Sequence, residues 1–331
     1  MSSISSSRRI FVTGGSGYLG RNLLRMFASN GVKAVALARS ERAAVVVRSL
    51  GATPFLGDLQ SASLAEGMEG CTELVHAAAD TNHGYGARDQ ADTNVDGTRR
   101  LFAAATTAGI RRGVYVGTES VLLDGRPLVD ANESHPLPRK AVGKYSSTKA
   151  EAERIALSFS TSTFEVVSVR PRFIWGRDDT TALPHLVDAV QRKAFAFVGG
   201  GRYRTSTTHI ANACAGIDLA LRRGRGGESY FITDGEPVEF RTFVTALLAT
   251  QGLTPPDKNV PRWPLWAAAT VSDTLARWTR GRVKLPITRQ ALATSAVEVT
   301  LNIAKARSEL GYAPLISIEE GLAELVAQHA A

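Results

Sequence analysis

The sequence predicts an α/β protein built on a doubly wound parallel sheet, with a smaller mixed region toward its C-terminal end. Three observations predict it. Short apolar runs alternate with helical patterns through the first half of the chain, a glycine cluster stands at the first strand-to-helix junction, and the alternation fades after Arg170-Pro171.

The elements follow in order. Residues 9–13, Arg-Ile-Phe-Val-Thr, form the first strand. Residues 20–30 continue as a helix, with Leu19, Leu23, Leu24 and Phe27 on one face. Further strands are predicted at 34–38, 53–56, 73–77, 113–116 and 165–169, and helices at 87–108 and 144–160. Beyond Pro171 come helical stretches at 183–193 and 210–222 and a strand-like piece at 229–232. No Gly/Ser-rich or Pro-rich linker divides the chain, and it contains no internal repeat.

Composition narrows the class of function. The 331 residues are 44% hydrophobic and 21% charged, as in ordinary globular proteins. The net charge of +8 is spread over scattered arginines, such as Arg99-Arg100, Arg111-Arg112 and Arg222-Arg223-Arg225, with no nucleic-acid-binding module among them. They read as solvated faces, with one or two recruited for phosphate. Cys71 and Cys214 form neither a metal spacing nor a disulfide framework, so buried thiols and no metal are expected. Residues 1–7 are Ser-rich without an apolar core, which predicts a frayed tail rather than a signal peptide. No apolar run reaches the ~18 residues of a membrane span. A cytoplasmic protein without nucleic-acid partners is expected.

Residues 13–20, Thr-Gly-Gly-Ser-Gly-Tyr-Leu-Gly, join the first strand to the first helix. Gly15, Gly17 and Gly20 fit one dinucleotide spacing, and Gly14, Gly17 and Gly20 another. Such a loop turns tightly, lets a pyrophosphate approach the backbone, and presents it to the N–H groups of a helix start. In that arrangement Gly14, Gly17, Tyr18, Leu19 and Gly20 are the phosphate-binding candidates, and the sheet is of the Rossmann type. The second strand ends at Ala38, where an acid would bind the ribose hydroxyls of NAD. Arg39 and Ser40 follow instead, suited to a 2′-phosphate, so NADP(H) is favoured over NAD(H). Arg39 also reads as a surface arginine opening the next helix.

Tyr145 and Lys149 are spaced four apart, on one helical face. The ammonium is expected to favour the phenolate and lower the phenol's pKa, which is about 10 when unperturbed. The strand at 113–116 runs into Gly117-Thr118-Glu119-Ser120, placing hydroxyls at a C-terminal strand end. Thr118 there could stabilise a developing oxyanion, with Ser120 as the competing hydroxyl.

These residues, together with Asp58-Leu59, His76-Ala77-Ala78-Ala79, Asn94-Val95-Asp96-Gly97-Thr98 and Arg170-Pro171, occur in an order that resembles the extended short-chain dehydrogenases/reductases. Within that family the chain looks most like the 3-beta-hydroxysteroid dehydrogenase branch, through residues 114–121, 206–213, 302–307 and 310–312. The resemblance spans nearly the whole chain. It implies a catalytic trio of Thr118, Tyr145 and Lys149, with Thr118 chosen over Ser120 because Val121 follows three residues later. It implies that Asp58 and Leu59 flank the adenine and that Ala77, Ala78 and Ala79 line the cofactor. Pro171 and Phe173 would sit near the nicotinamide, and Lys149 would hold its ribose. Asn94 would brace backbone, and a homodimer would form through the helices at 87–108 and 144–160. By packing alone, Asp58 is a helix cap, and the alanines are a small-residue contact.

The expected domains are a tail at 1–7, a dinucleotide-binding unit mainly at 8–171, and a substrate-binding region mainly at 172–331 that returns some strands and helices to the first. The expected reaction interconverts a secondary alcohol and a ketone on a bulky apolar, steroid-like substrate. A nucleotide-sugar epimerase or dehydratase would use the same Tyr/Lys pair, with Arg172, Arg202 or Arg204 on a diphosphate. A non-catalytic cofactor sensor would have no need of the trio. The loop at 80–86, with His83 and Tyr85, and residues 173–175 are expected to border the substrate. The Trp-rich stretch from Trp263 to Trp278 reads as a lid, a membrane-facing patch or a core-packed helix, and His209 as structural.

Overall fold

A computed structural model of the protein describes residues 8–81, 90–279 and 287–330. Seven parallel strands form its main sheet: β1 (Arg9–Thr13), β2 (Lys33–Ala38), β3 (Thr53–Leu56), β4 (Glu73–His76), β5 (Arg112–Val116), β6 (Glu165–Pro171) and β7 (Ser229–Ile232). They stand in the order β3-β2-β1-β4-β5-β6-β7. The order reverses between β1 and β4, which opens a crevice at their C-terminal ends.

The central strands are apolar throughout because helices cover both faces of the sheet. Ile10 and Val12 of β1 pack with Leu23, Leu24 and Phe27 of helix α1 (Tyr18–Ser29). Helix α2 (Glu41–Ser49) adds Val47 to the same side. Phe11 turns to the opposite face, among Leu101, Phe102 and Ala105 of α3 (Gly97–Thr107) and Ala152 and Ala156 of α4 (Lys144–Ser158). Helix α5 (Ile210–Arg223) returns from the C-terminal half to lie on β5 and β6 beside α1.

A second sheet of four short strands runs in the order Val238–Glu239, Arg204–Thr205, Val299–Leu301, Leu128–Ala131. Residues 128–131 leave the main lobe between β5 and α4 to pair with Val299–Leu301, while β7 closes the far edge of the main sheet. Two features differ from the sequence pattern. Residues 128–131 had no strand signal, and the helix expected over 87–108 contains a wide π turn at Asp92–Asp96 before α3 begins. Asn94 in that turn reaches back to the chain after β4, where its amide oxygen accepts from the Asp80 N–H at 2.8 Å and its amide nitrogen donates to the Asp80 carbonyl at 3.1 Å. The expected tail at 1–7 and the residues 82–89, including His83 and Tyr85, lie outside the described residues.

His76 ties three elements together beneath the crevice. Its Nδ1 hydrogen-bonds the Thr13 hydroxyl at the end of β1 at 2.7 Å, and its Nε2 the Thr98 hydroxyl in α3 at 2.9 Å. Burial, with the charge of Lys149 adding to it, pulls the imidazole down to about 3. The folded protein therefore refuses a proton that the unfolded chain binds near pH 6.5, so this contribution to stability is full above pH 6.5 and is lost as pH falls from there toward 3. Chemical denaturation of wild type and His76→Asn at pH 8 and pH 5 tests this. We expect the variant to be less stable at pH 8, and its deficit to narrow by about 2 kcal/mol at pH 5. An unchanged deficit would remove His76 as the cause.

Candidate active site

The glycine loop closes against the chain that follows β4. Gly14 has φ +74°, and a Cβ there would lie 2.8 Å from the backbone of Ala77 and Ala78. No larger residue fits that approach. A Cβ on Gly20 would collide with the Gly14 carbonyl, whereas one on Gly17 would meet only that oxygen, at 3.2 Å. Gly17 is thus open on its outer side and caps α1 without a side-chain hydrogen bond, and no acid occupies the first turn. The bare N–H groups and the positive end of the helix suit a pyrophosphate. Tyr18 is buried in the core and Leu19 packs against it, so each offers the cofactor its backbone.

At the adenosine end, Ala38 finishes β2 buried, and Arg39 and Ser40 are exposed. Ser40 caps α2 by accepting from the Ala43 N–H at 3.3 Å. Arg39 makes no ion pair among the described residues. Asp58 is exposed, and its carboxylate accepts from the Gln60 N–H at 2.8 Å, holding the turn beyond β3, while Leu59 is buried against Gly97. Ala77, Ala78 and Ala79 are half-buried along the crevice, and the Ala78 N–H donates to the Thr13 hydroxyl at 3.2 Å.

Thr118, Tyr145 and Lys149 meet at the C-terminal end of β5. Thr118 follows that strand, and its side chain hydrogen-bonds Tyr145. Lys149, one turn into α4, donates to the Val116 carbonyl at 2.8 Å and stands 4.3 Å above the Tyr115 ring. Burial pulls its ammonium down to about 7, with Glu153 working the other way. The phenol of Tyr145 is raised, not lowered as its lysine neighbour had suggested. Burial is the larger cause, the charge of Glu119 adds to it, and the bond with Thr118 opposes it.

Three further residues hold the trio and were not singled out from the sequence. Glu119 accepts the Thr118 hydroxyl proton at 2.9 Å and is paired with Arg172. Glu153, four residues beyond Lys149 on the same helical face, is paired with Arg170 and accepts from Ser168 at 2.7 Å. That i,i+4 spacing was the one signal available for it. Gln290, from helix Arg289–Ser295, accepts from the Ser146 hydroxyl at 3.0 Å in the first turn of α4.

Arg172 is therefore not free for a substrate diphosphate. It is 3% exposed, and beyond Glu119 it donates to the Thr205 hydroxyl and the Thr294 carbonyl. Pro171 ends β6, and Phe173 beyond it takes a left-handed φ of +43° with its ring 5.7 Å from that of Phe243. That conformation is strained for an aromatic residue. His209 is buried against Trp175, as expected of a structural histidine. The helix Arg262–Trp278 buries Ala269, Ser272 and Ala276 and leaves Trp263 and Trp278 77% and 89% exposed. Among the described residues, no helix is long and apolar enough to cross a membrane.

The chain is 50% identical to a 4-hydroxy-2-methyl-3-oxo-4-farnesyl-3,4-dihydroquinoline-1-oxide ketoreductase of Stigmatella aurantiaca, over 95% of this chain and 94% of that protein. It is 31% identical to a decarboxylating sterol-4-alpha-carboxylate 3-dehydrogenase of Dictyostelium discoideum, over 96% and 100%. The crystal structure of gox2253 matches with a TM-score of 0.78 at 28% identity, covering 96% of each chain. The model of the NAD dependent epimerase/dehydratase family matches residues 10–233, and the chain belongs to that family.

Proposed function

We propose that this protein is an NADPH-dependent ketoreductase acting on a bulky, apolar ring ketone that carries an isoprenoid or alkyl substituent. The observation that carries the proposal is the meeting of Thr118, Tyr145 and Lys149 at the mouth of the crevice whose other wall is the glycine loop. The 50% identity to a ketoreductase named for a farnesyl-bearing 3-oxo-dihydroquinoline-1-oxide supports the substrate class. Phe173 is half-buried beyond the end of β6 and offers such a substrate an apolar surface, with the buried Phe243 and Trp175 packed behind it. The use of Arg172 in a buried ion pair weighs against a nucleotide-sugar substrate.

When bound, the nicotinamide supplies the hydride for the carbonyl carbon. Gly14, Gly17, Gly20 and the start of α1 would hold the pyrophosphate. Ala77, Ala78 and Ala79 would line the middle of the dinucleotide, with Pro171 and Phe173 near its reactive end. Tyr145, held protonated by burial, donates its proton to the carbonyl oxygen, and Thr118 fixes the hydroxyl from the other side. Lys149 stiffens the first turns of α4 through its bond to Val116, and its amine, pulled down to about 7 by burial, would exchange protons on the nicotinamide side.

Tyr145→Phe is expected to lower kcat by roughly 10²–10⁴-fold, the usual worth of a placed proton donor, while NADPH binding followed by fluorescence stays within about threefold of wild type. Wild-type turnover in that variant would end the proposal. On cofactor choice, Arg39→Ala is expected to raise the Kd for NADPH about tenfold, since a charge-assisted bond contributes about 1.5 kcal/mol, and to leave the Kd for NADH nearly unchanged. Equal losses for both would assign Arg39 to the surface alone.

A further inference from the structure

We propose that Glu119 is a positioning residue for the proton-transfer pair, locked in place by Arg172, so that the smaller lobe sets the direction of the Thr118 hydroxyl. The proposal rests on Tyr145 as the proton carrier and goes beyond it by assigning the charge behind Thr118.

The geometry is specific. Thr118 has one hydroxyl proton, and it lies toward the Glu119 carboxylate at 2.9 Å. A carboxylate can only accept, so the Thr118 oxygen is left with its lone pairs for other partners. One receives the Ser120 N–H at 3.2 Å, and Tyr145 lies beside the same hydroxyl. The contact of Thr118 with Tyr145 favours the phenolate and so works against the push from Glu119. Glu119 is itself 5% exposed and cannot turn to water. Its second oxygen is paired with Arg172, whose Nε donates to Thr205 of the smaller sheet at 3.1 Å and whose Nη2 donates to the Thr294 carbonyl at 3.0 Å. The backbone of Arg172 is pinned as well, its N–H donating to the Thr208 hydroxyl at 3.1 Å and its carbonyl accepting from that hydroxyl at 2.7 Å. A guanidinium with every arm tied gives the carboxylate a single orientation.

The position of Glu119 also has an electrostatic effect. Among the described residues, the titratable and charged groups near Tyr145 are Glu119 with Arg172 behind it, Tyr115 on β5, and, one turn along its own helix, Lys149 with Glu153 beneath. Glu119 is the charge that raises the phenol, so its removal lowers the pH at which the phenol ionises. A group that only supported the fold would not move that pH.

The test compares wild type, Glu119→Gln and the double variant Glu119→Gln/Arg172→Gln, all as holoenzyme with oxidised cofactor and a secondary alcohol. The double variant matters because Glu119→Gln alone leaves a buried unpaired guanidinium and risks failing to fold. In the double variant, the pH of half-maximal kcat/KM is expected to fall by about one unit, and kcat to drop about tenfold while KM stays within twofold. A limb that coincides with wild type would overturn the proposal. Arg172→Lys keeps the charge and loses the fork, and is expected to lower kcat at least threefold at unchanged KM; wild-type kcat there would also overturn it. Tyr145→Phe, run alongside, separates the two ideas. Activity in that variant removes the proton carrier itself, whereas an inactive Tyr145→Phe with an unmoved limb in the double variant removes only Glu119.

Discussion

The approach of Gly14 to the Ala77–Ala78 backbone is the constraint on which the remainder depends. Two strand ends meet there with no side chain between them, and that contact fixes the distance across the crevice. The hydrogen bonds from Thr13 to His76 and from the Ala78 N–H to Thr13 lie directly beneath it and keep the two ends in register. A methyl group at Gly14 would force β1 and the chain after β4 apart, taking with it both the phosphate loop and the small residues that would lie along the cofactor. The π turn at Asp92–Asp96 serves the same alignment from the other side, because it lets Asn94 hold Asp80 by both backbone groups.

Charge inside this protein is arranged in pairs around the proposed reacting groups. Glu153 with Arg170 sits beneath Lys149, and Glu119 with Arg172 beside Thr118. Buried pairs contribute little to net stability, since desolvation offsets most of their attraction. Their value here is directional: Glu119 fixes the Thr118 hydroxyl and raises the Tyr145 phenol, and Glu153 opposes the loss of charge on Lys149. Both arginines flank Pro171, so one short segment at the end of β6 carries the cations for both pairs.

The fold was legible because its signals are local. Strands buried on both faces read as apolar runs, the helices carry an apolar face, and a positive-φ glycine between a strand and a helix marks the loop. The Tyr145/Lys149 pair was visible from one helical turn, and Thr118 from its place at a strand end. The raised phenol was not visible, because it follows first from burial in the folded protein and then from Glu119, whose orientation depends on an arginine 53 residues away. For the same reason Arg172 read as a diphosphate ligand: a sequence shows a base but not the carboxylate that already holds it. The strand at 128–131 escaped notice because four residues pairing with 299–301 leave no periodic pattern of their own.

The exchange of strands between the lobes has a mechanical consequence. Residues 128–131 are sewn into the C-terminal sheet, and residues 229–232 into the main one. Each lobe therefore contains a seam of the other, and wide jaw-like opening would tear a ladder of backbone bonds on one side. Admission of the bulky substrate proposed above would fall instead to the rim, where side chains and short surface segments could part while both frames stay joined.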